Sequence, residues 1–263
     1  MERLPAVAGW HWVKQGFALF RRQPAEMSML FMLYVFLTGL IGVVPIVGLI
    51  LRFALVPVFS MAFMQACANI EQGKRVLPKV LFVGFRSPAF KSLLILGVLY
   101  LLAAILALLV TSIVDDGAIW QAINSEAPPD VKTVGDSSLL LPMLFAAMAY
   151  LSISLMLWYA APLIAWQNMG VGKAIFFSIF AVIRAFKAFL FYLFAWMMIG
   201  LLLIFAVSVL LRVLIDNMET EIFILFPLVL LVMAVVQCSF YPSYTQIFGA
   251  PQLPEETEPP GKI

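Results

Sequence analysis

The 263-residue chain is 64% hydrophobic and 11% charged, with a net charge of +2 and a mean hydropathy of +1.05. Soluble domains are about half apolar and about a quarter charged, and no soluble fold of this length has interior enough to hide so much apolar surface. The bilayer is the solvent that suits it.

A membrane-spanning helix needs about 20 apolar residues. The segment before Met27 contains Arg3, Lys14, Arg21 and Arg22. The apolar run that follows reads as a retained first span and not as a cleaved leader, because no small-residue cleavage pattern follows it. That run continues to Ile70 with Arg52 as its one charge, which is too long for one crossing and fits two. Gly42, Pro45 and Gly48 supply the break. The first two spans are expected at about 27–44 and 47–69, and the third at 91–114. The fourth is expected at 138–167, longer than an upright crossing needs, with tilt taking up the excess. Spans at 187–213 and 222–247 complete a single membrane domain over 1–248. The Pro- and Glu-rich tail at 249–263 reads as a disordered cytoplasmic segment.

The charge map orients this all-α, polytopic plan. Thirteen of the sixteen basic residues fall on one side: before span 1, between spans 2 and 3, between spans 4 and 5, and in the tail. The other side keeps Arg52, Lys132 and Arg212 and is rich in acid, including Asp115, Asp116, Glu126 and Asp130. By the positive-inside rule both termini are cytoplasmic and the 115–137 loop faces outward. An odd number of spans would scatter the basic segments over both sides.

Each basic segment precedes a pair of spans and reads as an amphipathic helix in the headgroup layer. Over 10–22, Trp10, Val13, Phe17 and Phe20 share one face, opposed to His11, Lys14 and Arg21. Over 76–87, Leu77, Val80, Leu81 and Phe85 oppose Lys79 and Arg86, and 171–186 has a narrow polar edge of Lys173 and Arg184. Two large apolar residues followed by arginine recur at Phe17–Arg21, Phe82–Arg86 and Phe180–Arg184. The second span of each pair carries a proline, Pro57, Pro162 or Pro242. The pattern predicts three hairpins, each introduced by an interfacial helix, as a pseudo-threefold repeat.

The residues at 158–167 (WYAAPLIAWQ), followed by Gly170, Gly172, Lys173, Ala174 and Ser178, resemble an uncharacterised family of proteobacterial six-helix inner-membrane proteins. So do the opening Gly9–Arg21 and the closing Tyr241–Phe248. That family is distantly similar to the membrane domain fused to some glycerophosphodiester phosphodiesterases. The resemblance covers nearly the whole chain through apolar motifs. It implies six helices in the inner membrane, and it brings no activity, because the phosphodiesterase catalytic domain is missing.

Few residues carry chemistry. His11 is the single histidine, which leaves no histidine-based triad or metal site. Cys67 and Cys238 stand in apolar stretches without ligand spacing and read as packing residues. Arg52, just inside span 2, is either an anion or lipid-phosphate contact or a snorkelling structural residue. Arg21, Arg22, Arg86 and Arg184 are candidate lipid-phosphate contacts, and they also serve orientation. Gln65, Asn69, Gln167 and Gln237 are candidates for one polar layer among the even-numbered spans, with interhelical hydrogen bonding as the alternative. No acidic residue lies within the core of a span, so no carboxylate proton relay is visible. The expectation is a non-enzymatic scaffold or interaction protein. It needs no cofactor, contacts membrane lipids and a membrane-protein partner, and binds no nucleic acid. The alternative is a transporter or channel for a lipid-like or small solute.

Overall fold

In lipid every backbone amide and carbonyl must find its partner within its own segment, so long apolar runs become helices. A computed structural model describes residues 4–114, 137–214 and 218–251, and these are helical with no strand among them. Six helices are long and apolar enough to cross a membrane. The segment 115–136, residues 215–217 and the tail from 252 lie outside the described residues.

Helix α1 spans Val7–Arg22, and the extended residue Gln23 separates it from α2, Pro24–Ile41. Pro24 suits the first turn of α2, where its missing amide has no partner to lose. Helix α3, Val47–Glu71, is the centre of the bundle and packs against α2, α5, α7 and α10. A 3-10 turn at Pro78–Phe82 and the short α4, Val83–Arg86, lead into α5, Phe90–Val114. The remaining helices are α6 (Ser137–Met156), α7 (Ala160–Gln167), α8 (Val171–Arg184), α9 (Phe186–Leu214) and α10 (Met218–Phe248). The bundle end carrying Pro24 and Phe248 is called the terminal side below.

Two local readings need correction. The continuous fourth span is two helices, α6 and α7, with a turn at 157–159. Pro162 has no amide to donate back into that turn. The Oγ of Ser178, on α8, donates to the Met156 carbonyl at 2.7 Å and accepts the Tyr159 amide at 3.0 Å. One hydroxyl thus stitches the broken backbone. The segment 76–87 is not one amphipathic helix, since Pro78 starts a tight 3-10 turn that passes into only one turn of α4.

Helix α1 turns a different face to the protein: Trp12 and Val13 are buried, while Trp10 and Phe17, on the apolar face read for the headgroup layer, stay 37% and 38% exposed. Gly9 and Gly16 decide this rotation. A Cβ on Gly9 would stand 2.2 Å from the Ala188 carbonyl, and one on Gly16 would stand 2.4 Å from Cβ of Ser239. The glycine face is the one that lets α9 and α10 approach, and His11, Lys14 and Arg21 remain exposed as expected.

The 3-10 turn and α4 sit on α3, α8 sits on α6 and α7, and α1 returns to α9 and α10. Gln23 ties the first junction down. Its amide nitrogen donates to the Lys74 carbonyl and its oxygen accepts the Val76 amide, both at 2.8 Å.

Candidate functional site

The α2–α3 tip explains Arg52. Ile46 holds φ 59 and ψ −62, and the Val47 amide reaches the Pro45 carbonyl at 2.6 Å, a tight γ-turn that a β-branched residue adopts only under strain. The turn brings Arg52 back over the end of α2. Its Nε donates to the Thr38 carbonyl at 2.8 Å, and its guanidinium covers Gly42. A cation at a helix C-terminus also meets the negative end of the dipole. Arg52 therefore caps α2, with the rest of its side chain exposed.

Arg21 and Arg22, Arg86 and Arg184 stand in the last turns of α1, α4 and α8. All four are exposed, and all complement their helix dipoles.

The amides form a collar toward the terminal side. Gln65 donates to Asn69 Oδ1 at 3.0 Å and accepts Trp166 Nε1 at 3.2 Å. Gln167 donates to the Tyr244 hydroxyl at 3.2 Å, and the rings of Trp166 and Tyr244 lie 5.2 Å apart. The Tyr241 hydroxyl donates to Glu71 at 2.5 Å, and Trp12 Nε1 donates to Gln246. Gln65 and Asn69 thus form one hydrogen-bonded group with Trp166, and Gln167 forms another with Tyr244, the two meeting through the Trp166 and Tyr244 rings. Gln237 is part of neither and lines a cavity instead.

That cavity, about 240 Å³ and half-enclosed, lies among α2, α3, α5, α6, α7 and α10. Tyr34, Pro57 and Tyr100 in its wall stand seven or more residues from both ends of their helices. At about 1.5 Å per residue that is about 10 Å or more from either end, deep in a hydrocarbon core about 30 Å thick. No lining side chain is charged. Tyr34 is held edge-on by Phe59 and Phe63, with ring centroids at 5.2 and 5.5 Å, and Trp158 meets Phe240 at 4.9 Å. Tyr34 interacts electrostatically with Tyr150 and Arg52, and Tyr100 with Tyr150.

Two polar atoms in this wall lack partners among the described residues. Trp158 Nε1 and Ser154 Oγ are buried and unpaired, although Ser154 lies beside the Tyr150 hydroxyl without meeting hydrogen-bond geometry. A buried polar group without a partner is costly, and more so where no water can reach it. An indole N–H can only donate, so a partner for Trp158 Nε1 would have to be an acceptor.

The sequence reading missed the cavity tyrosines because it followed amides and charges. Their position was the available signal. Span tyrosines ordinarily sit at the two interfaces, whereas Tyr34, Tyr100 and Tyr150 fall well inside.

Over 96% of its length the chain is 31% identical to a protein of Burkholderia thailandensis described as a probable inner membrane protein, of which it covers 97%. The chain belongs to the same family. No family model matches it, and no solved structure matches it. The relative's description names a membrane protein, and nothing in it states an activity.

Proposed function

We propose that this chain is a non-enzymatic inner-membrane protein, with both termini in the cytoplasm, that holds a lipid-like ligand in the mid-depth cavity. The observation that carries the reading is the uncharged aromatic cavity with its unpaired Trp158 N–H. The relative's description supports the membrane, and the charge asymmetry supports the orientation. Arg21, Arg22, Arg86 and Arg184 would meet anionic headgroups on the cytoplasmic face.

Native mass spectrometry of the protein released from mild detergent tests the binding. A bound small lipophile is expected in the wild type and not in Ser60→Phe, which fills the wall without touching the collar. Identical spectra from two folded proteins would remove the reading. A fluorescent protein fused at the C-terminus is expected to mature, and its failure to do so would reverse the orientation.

Transport of the same ligand is a second reading. Pro57 stands in the cavity wall, and the α6–α7 break is beside it. Both are places where a helix can bend. Saturable flux into proteoliposomes would favour transport over holding.

A further inference from the structure

The collar and the exposed arginines are accounted for by packing and helix ends. The cavity leaves a question of chemistry, namely which lipophile it selects.

We propose that the cavity takes the ring of a neutral, bilayer-soluble compound bearing carbonyl acceptors, of the quinone type; this rests on the binding reading above. Four observations converge. The depth and the uncharged wall disfavour a phosphate or choline headgroup, which would lose its water and gain no counter-charge. The unpaired Trp158 Nε1 needs an acceptor, which an acyl chain does not have. Tyr34, Tyr100, Tyr150 and Ser154 line the same cavity, and a hydroxyl from among them would donate to a second oxygen. The walls of Phe59, Phe63 and Phe240 offer faces and edges on which a flat ring can stack.

The size agrees. A volume of 240 Å³ is about eight times the ~30 Å³ share of a water molecule. That admits a substituted six-membered ring, with an apolar tail leaving through the half-open mouth. No electron transfer is invoked, and the ligand is bound unchanged.

The test uses the full chain in nanodiscs of phosphatidylethanolamine and phosphatidylglycerol. The probe is a radiolabelled 1,4-benzoquinone with a short alkyl tail, and dioctanoylglycerol serves as an ester-carbonyl competitor. Saturable binding near one per chain is expected, with no displacement by dioctanoylglycerol. Trp158→Phe keeps the ring and removes the N–H, and is expected to weaken binding at least tenfold. If that variant does not fold, Tyr100→Phe with Ser154→Ala provides the same comparison with a smaller loss expected. Saturable quinone binding unchanged in every folded variant would place the quinone elsewhere and overturn the proposal. Dioctanoylglycerol binding that depends on Trp158, without quinone binding, would overturn the ring assignment and leave the lipid-like ligand standing. If neither probe binds and native spectra show no lipophile, both readings fail.

Discussion

Gly16 of α1 rests on Ser239 of α10 so closely that a Cβ on the glycine would stand 2.4 Å from that of the serine. Ser239 is also the meeting point of two α9 side chains. Its hydroxyl lies 2.7 Å from that of Tyr192 and accepts Trp196 Nε1 at 3.2 Å. The contact therefore locks α1, α9 and α10 together. Gly16→Leu puts a branched side chain against backbone atoms that cannot step aside. We expect a loss of stability of about 1–3 kcal/mol, the range for overpacked cores. Thermal unfolding in detergent would show it as a lowered midpoint, and Lys14→Ala on the exposed face should leave that midpoint in place.

Ser178 offers a sharper test of the helix break. It is fully buried and serves both backbone groups freed at 156–159. Ser178→Ala leaves a carbonyl and an amide unpaired in an apolar setting, at about 1–3 kcal/mol. Hydrogen exchange is expected to rise at residues 157–160 and stay unchanged in α3. Equal protection in the two proteins would mean that the turn holds without the serine.

These two contacts also mark how far the sequence could be read. Six helices long and apolar enough to cross a membrane followed from apolar length, because lipid leaves the backbone no other option. Rotation and docking did not follow. The hydrophobic face of 10–22 was read from side-chain size, yet the face that packs is the one with glycines, since close approach of backbones governs helix contact in membranes. Proline alone did not reveal that the fourth span breaks, because its tolerance depends on Ser178 from a different element. The cavity was out of reach for the same reason, as its wall comes from six helices. Of the four amides, Gln65 bonds Asn69 while Gln167 bonds Tyr244 and Gln237 lines the cavity, since register between helices is invisible in one sequence.

Ile46 makes a prediction of the opposite sign. Its φ of 59 lies where β-branched residues are strained, and its side chain is exposed. Ile46→Gly removes that strain and loses little packing. Strained conformations of this kind cost about 1–3 kcal/mol, part of which returns as lost chain entropy of the added glycine. A net gain of about 1 kcal/mol is expected, seen as a higher thermal midpoint. A lower midpoint would show that the turn is unstrained.

Arg52 separates capping from ligand binding. Its Nε bonds the Thr38 carbonyl and its guanidinium lies on Gly42. Because the residue is exposed, Arg52→Ala should cost only about 1 kcal/mol, near the ordinary value of a hydrogen bond. Ligand binding in the cavity is expected to be unaffected, because Arg52 is not among the lining residues. A tenfold loss of binding in a folded Arg52→Ala protein would instead make it part of the site.

The collar can be measured as an energy. Gln65 on α3 accepts the Trp166 N–H of α7 at 3.2 Å and is itself bonded to Asn69. Interhelical hydrogen bonds in membranes average about 0.6 kcal/mol and reach about 1.7. A double-mutant cycle of Gln65→Leu and Trp166→Phe isolates the pair, since each change keeps most of the volume. A coupling of about 0.5–1 kcal/mol is expected, with cavity binding unchanged in both single variants. The collar then acts as a latch that sets the spacing of α3, α7 and α10 on the terminal side. A coupling near zero, together with weakened binding, would contradict that role. It would mean that the amides act on the ligand and not on each other, and that the polar layer and the cavity form one site.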